Sequence, residues 1–223
     1  DWIRFVLGSR CVAIQSFGTL KHFRADNSPP GAASRCVECS VEPSCPYSAM
    51  KIYLGRVASG RTGWPVDVLV PEVTEATVLE ALRTGPYGRC AYGCDNDVVD
   101  HQIVNMLFDG GQTASLTMTG FTAADHRQTR IFGTKGQLVG DGRTIRRFDF
   151  LTDRWEVIEV GAADSSILGG HGGGDAGLME AFVDAVRHGD QHRVLSGPEE
   201  SLESHLMAFA AERSRMERRV VAM

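Results

Sequence analysis

The sequence contains no apolar run long enough to cross a bilayer, and no basic segment leading into an apolar stretch and a small-residue cleavage site. Those absences exclude a helical membrane span and a cleaved secretory leader, so the expectation is a soluble, cytoplasmic chain. Positive charge is also short. The net charge of -5 argues against non-specific nucleic-acid or anionic-membrane binding and leaves small-molecule partners open. Six cysteines in 223 residues are too few for a disulfide scaffold. There is no internal repeat and no low-complexity segment. What remains is an ordinary globular composition, with 43% hydrophobic and 23% charged residues.

The hydrophobic pattern divides along the chain. Trp2 to Leu7 reads as the last turns of a helix closed by Gly8, and an uncapped helix at Asp1 suggests a longer parent protein. Cys11 to Ser16 reads as a buried strand. Residues 27 to 35 are rich in Pro, Gly, Ala and Ser and open an insertion spanning about 27–65. Tyr47 to Leu54 is a short helix candidate. Thr74 to Arg83 is a helix capped by Thr74 and ended at Gly85, with Val78 and Leu82 on one face.

The middle of the chain is the β region. Strands are expected over Val98 to Phe108 and Gln112 to Thr119, joined by the Asp109-Gly110-Gly111 hairpin signal. Four more follow at Thr129 to Phe132, Gln137 to Val139, Ile145 to Phe150 and Trp155 to Val160. The end is helical. Asp175 to His188 carries a Leu178, Phe182, Val186 stripe. Ser196 and Glu199 read as a capping box before a helix that buries Leu202, Leu206, Phe209 and Met216. Helices at both ends of a run of strands predict an α+β domain over 1–223, with a largely antiparallel open sheet and helices packed on one face.

Gly172 to Gly177 satisfies G-x-G-x-x-G. That pattern cradles a pyrophosphate only at a strand-to-helix turn opening a βαβ unit. Here roughly ten loop residues precede it, and no parallel strand follows. The expectation is no cofactor-binding residue in this chain. No catalytic residue is assigned either.

Several stretches together resemble the C-terminal domain of the Gfo/Idh/MocA oxidoreductases, the family of glucose–fructose oxidoreductase and myo-inositol dehydrogenase. They are residues 1 to 8, Cys94 to Gln102 running into Asp109-Gly110-Gly111, Arg130 to Gly136, Gly170 to Asp175, and Glu199 to His205. The resemblance implies a parent with an N-terminal Rossmann domain binding NAD or NADP, which is absent from this chain. It implies a sugar or cyclitol substrate between the domains, and an open sheet face that makes a homo-oligomer. The family's catalytic histidine, in an Asp-x-x-x-His pattern, would precede Asp1. The Rossmann glycines and the lysine of the Glu-Lys-Pro motif are absent too. The resemblance therefore implies a substrate-binding and oligomerisation domain that does not transfer hydride alone. Other readings are a stand-alone binding or assembly module with a metal-pinned insertion, and a domain of an NAD-dependent glycosidase.

Four residues are candidates for substrate binding. His171 and Asp175 flank the glycine run, where relatives approach substrate, and suit hydrogen bonds to sugar hydroxyls; a loop histidine and a helix N-cap explain them equally. Asp97 and His101 share one face if their strand is regular, with Asp100 opposite. Carboxylates beside an imidazole suit proton transfer, although polar decoration of an open sheet face explains them as well. His126, Arg127 and Arg130 read as a solvated face. Finally, Cys36-x2-Cys39-x5-Cys45-Pro46 spaces three thiols for one metal. Zinc or an iron–sulfur cluster fits, with Cys94, Cys90, Cys11 or His22 as a fourth ligand, and reduced structural thiols or a disulfide are the alternatives.

Overall fold

The computed structural model describes residues 1–123, 127–159, 174–194 and 196–223. Among them are eight strands in two four-stranded antiparallel sheets. One has the order β3-β2-β1-β8, made of β1 (Cys11–Thr19), β2 (His101–Phe108), β3 (Thr113–Thr119) and β8 (Val221–Ala222). The other is a meander in chain order, β4 (Thr129–Phe132), β5 (Gly136–Gly140), β6 (Thr144–Asp149) and β7 (Arg154–Glu159). The helices are α1 (Trp2–Leu7), α2 (Gly55–Ala58), α3 (Glu75–Thr84), α4 (Gly174–His188) and α5 (Pro198–Glu217). The α+β class and the antiparallel pairing are as expected. The six central strands are divided between two sheets instead of forming one run.

The chain divides into two compact units. Ser16–Val104 and Ser115–Gly120 form one of them. Its core is built on α3. The Thr74 hydroxyl accepts the Thr77 N–H at 3.1 Å, and the Thr77 hydroxyl accepts the Thr74 N–H at 3.0 Å. That reciprocal cap fixes the start of the helix. Val78 and Leu82, one turn apart, are then fully buried against Val66 and Ala49. The insertion packs on this core through Val37, Met50, Leu54 and Val57. Its helix is later than expected: a π turn over Met50–Leu54 runs directly into α2. Three carbonyls at the end of α3 accept from one guanidinium. Arg35 donates to Leu82, Gly85 and Thr84 at 3.0, 2.9 and 3.2 Å. The next turn passes so close that a Cβ on Gly88 would lie 1.7 Å from the Leu82 carbonyl oxygen.

Asp1–Gln15, Asn105–Ala114 and Phe121–Met223 form the other unit. Gly8 closes α1 at φ 61°, a left-handed conformation that glycine adopts without strain. Glu203 of α5 is the hub. Its carboxylate accepts the Arg4 guanidinium at 2.8 Å and the Cys11 N–H at 2.8 Å, tying α5 to α1 and β1.

That hub explains a correction. The sequence pattern put Leu202, Leu206, Phe209 and Met216 in the core, but all four are exposed, Phe209 by 68%. Met207, Ala210, Ala211 and Ser214 are buried instead. Those residues lie on the same face as Glu203, at successive helical spacings. The ion pair fixes the rotation of the helix, and small side chains suit its close approach to α1 and β8. Leu178, Phe182 and Val186 of α4 are exposed too. The cap of α5 also differs by one residue. Gly197 is the N-cap, and its N–H donates to the Glu200 carboxylate at 3.0 Å. Ser196 and Glu199 are not the pair. In the meander, Phe148 faces Trp155 across β6 and β7, and the Arg146 guanidinium sits 4.7 Å from the Trp155 ring. No described helix is long and apolar enough to cross a membrane.

Candidate functional site

Asp100 organises the start of β2. Its N–H donates to the carbonyl of Thr19, the last residue of β1, at 3.0 Å. The side chain turns inward, where it is 1% exposed. One oxygen accepts the N–H groups of Lys21, at 2.9 Å, and His22. The other bonds the His101 Nδ1 at 2.7 Å. Burial pushes the carboxyl pKa up. The His22 N–H, the His101 imidazole and the Lys21 and Phe23 N–H groups outweigh it and leave the value lowered to about 2. Asp100 is therefore ionised at neutral pH and can only accept, so Nδ1 of His101 must be the donor. With Nδ1 donating, the ring's remaining nitrogen is Nε2. The His101 side chain is 48% exposed. A ring held by a buried carboxylate and reaching outward can accept a proton or a hydroxyl hydrogen bond from a small molecule.

The loop that Asp100 holds carries His22 and Phe23 into an aromatic cluster. His22 lies 5.3 Å from Tyr47 and 5.3 Å from Tyr92, ring centre to ring centre, and its Nε2 is 3.2 Å from the Tyr92 hydroxyl. Tyr47 and Tyr92 also line a small cavity of about 20 Å³ together with Cys36, Cys39, Cys45 and Cys90. Cys39 and Cys45 each end a 3-10 turn, Cys36–Glu38 and Glu42–Ser44. An antiparallel bridge between Arg35 and Arg89, with the Cys90 N–H donating to Ser34 at 2.8 Å, brings Cys90 to them. All six cysteines are free thiols. Burial raises the Cys36 pKa; an N–H from Ala49 onto its sulfur acts in the opposite direction, and Cys90, Cys45 and Cys39 are close enough to raise it further. Among the described residues, no three His, Cys, Asp or Glu side chains already stand in ligand positions around one point.

The sequence candidates fall in different places. His101 is set against Asp100. Asp97 lies outside any strand and is exposed, so the alternation that paired it with His101 does not apply. Asp100, expected on the opposite face, is instead the buried partner of the ring, because three backbone donors in residues 21–23 draw it inward. Asp175 is exposed in the first turn of α4. His171 and His126 lie outside the described residues. Of the four residues weighed as a fourth metal ligand, Cys90 lines the cavity. The Cys94 thiol is 3.2 Å from the Cys90 carbonyl, His22 meets Tyr92, and Cys11 is buried in β1. Tyr92 was missed, and a tyrosine two residues after a cysteine was the available signal; Asp100 was weighed beside His101, but its backbone partners at Lys21 and His22 were not foreseen.

The structure describes the glycine run only from Gly174 onward. Gly172 and Gly173 lie outside the described residues, and β7 ends at Glu159. The strand that follows α4 and α5 is β8, antiparallel to β1. No βαβ turn is present among the described residues to aim amides at a pyrophosphate.

No protein-family model and no curated protein matches the sequence. Solved structures do match. An aldose-aldose oxidoreductase from Caulobacter crescentus, complexed with glycerol, aligns over 99% of this chain with a TM-score of 0.52 and 14% identity. An oxidoreductase domain protein from Kribbella flavida aligns over 100% of it at 0.52 and 14%. A levoglucosan dehydrogenase, in complex with NADH and levoglucosan, aligns over 100% of it at 0.53 and 13%. The chain spans only 44%, 47% and 47% of these three proteins. At such identities the likeness is one of fold, and on that evidence the chain carries an α+β fold that it shares with a little under half of each of these oxidoreductases.

Proposed function

We propose that this chain is the substrate-binding and oligomerisation domain of an NAD(P)-dependent oxidoreductase that acts on a sugar or cyclitol, and that it does not turn over alone. One observation carries the reading. The whole chain aligns with less than half of an aldose-aldose oxidoreductase and of a levoglucosan dehydrogenase. The remainder of such a parent would be a Rossmann domain, and its nicotinamide would supply hydride transfer. In this reading His101, oriented by Asp100, hydrogen-bonds a substrate hydroxyl. Asp97, Asp175 and His171 are further polar candidates of the same domain.

Exposed apolar surface supports the partner part of the proposal. Strand β2 alternates, with Val104, Met106 and Phe108 buried while Ile103 and Leu107 are exposed. On β3, Leu116 and Met118 are exposed as well. A sheet face of this kind suits a second copy of the chain. In the same reading, the outward stripes of α4 and α5 suit the Rossmann domain of that parent.

Two measurements test the reading. Titrating NAD or NADP into this chain should give no saturable binding; saturable micromolar binding would refute the assignment. The full-length parent, screened against sugars and cyclitols by following the reduced cofactor, should oxidise at least one of them. His101→Ala should then raise KM more than it lowers kcat.

A further inference from the structure

We infer that Cys36, Cys39, Cys45 and Cys90 form a four-thiolate zinc site that pins the insertion to the end of α3. The sequence supplies three closely spaced thiols. The structure adds the fourth, brought from 45 positions further along by the Arg35–Arg89 bridge. The four line one cavity, and Cys11 and Cys94 do not. The cavity, about 20 Å³, has room for roughly one water-sized particle. That is enough for a single ion.

One backbone donor faces the cluster. The Ala49 N–H already points at the Cys36 sulfur. Such a bond orients the sulfur, as outer-shell donors do at metal centres. The backbone that carries the ligands is held independently of any metal. Arg35 grips the α3 carbonyls beside Cys36, and consecutive 3-10 turns present Cys39 and Cys45. The sulfurs share the cavity without standing in ligand positions. Zinc holds sulfur at about 2.3 Å, and would draw the four side chains inward by rotation on a fixed backbone. Each thiol releases its proton to solvent as its sulfur bonds the ion, with no change of oxidation state.

The alternative of paired disulfides would use the same sulfurs but bind no metal, so metal content separates the two. The full protein, purified without chelator under reducing conditions, should contain about one zinc per chain by elemental analysis. Cobalt(II) added to the metal-free protein should give the intense visible bands of a tetrahedral thiolate site and a near-ultraviolet sulfur-to-metal absorption. C36S, C39S, C45S and C90S should each lose about ten-fold or more in zinc content, whereas C11S and C94S should keep it. Should a variant fail to fold, the cobalt titration of the wild-type protein still decides. Less than about a tenth of an equivalent of zinc, with no cobalt spectrum after zinc-free reduction, overturns the site. Full zinc retention in C90S overturns the four-ligand set. Iron with acid-labile sulfide in place of zinc overturns the choice of ion.

Discussion

Replacing Asp100 by Asn tests the electrostatic account of the β2 start. The carboxyl falls from its ordinary 3.8 to about 2 in the folded protein. At about 1.4 kcal/mol for each unit, ionisation contributes about 2 kcal/mol to folding at neutral pH. An amide keeps one oxygen for the backbone donors, loses the charge, and presents an NH₂ where a second acceptor stood. D100N should therefore unfold in urea about 2 kcal/mol more easily than the wild type at about pH 7. The sign with pH is fixed. A depressed folded pKa stabilises fully above the unfolded value of 3.8 and loses that effect as pH falls toward about 2. Roughly half of the difference between the two proteins should be gone by about pH 3. Urea midpoints at about pH 7, 5 and 3 give the answer, with unchanged slopes confirming that the unfolding transition is the same. Equal midpoints at neutral pH, or a difference that does not shrink in acid, would show that Asp100 is not held as an ionised acceptor. H101A removes one partner and keeps the backbone donors, and should cost less, about 1 kcal/mol.

Three further expectations rest on other contacts. Glu203 has its pKa lowered; burial opposes this, but the Arg4 guanidinium and the Cys11 N–H outweigh it. E203Q should lose about 1–3 kcal/mol of stability by urea unfolding, and the loss should fade as pH drops below the ordinary carboxylate value of 4.5. L82A removes a fully buried side chain and should cost about 2–5 kcal/mol, whereas G88A drives a methyl into the backbone of the same turn and should cost about 3 kcal/mol or more, both read from thermal or urea melts. I103E places a charge on the outward face of β2; sedimentation should show smaller assemblies with an unchanged far-ultraviolet spectrum, and unaltered assembly would remove that face from the oligomer proposal.

Local chemistry was legible in the sequence wherever local chemistry decides structure. Thr74, Gly8, the Asp109-Gly110-Gly111 turn and the β4–β7 meander all stand within a residue or two of their expected places. Rotation of a helix about its own axis was not legible. Helix α5 has two stripes, one bulky and one small, and hydrophobicity alone selects the bulky one; an ion pair to a residue 199 positions away selects the other. The same holds at the candidate site. Alternation placed Asp100 away from His101, because period-two reasoning assumes that a strand has already begun. The strand begins at His101, and the aspartate before it obeys the three amides of another loop. Cys90 could be named from sequence as one of several partners for the cysteine cluster. Only the bridge between two distant arginines singles it out.

Helix α5 carries two separate instructions along its length. Met207, Ala210, Ala211 and Ser214 help decide whether this chain folds, while Leu202, Leu206, Phe209 and Met216 have no comparable burial within it. Substitutions on the first set should surface as lost stability in a melt of this chain. Substitutions on the second should pass that assay unnoticed and alter instead the company the protein keeps. A screen that scores folding alone would therefore label as neutral any residue of the second set that serves a partner.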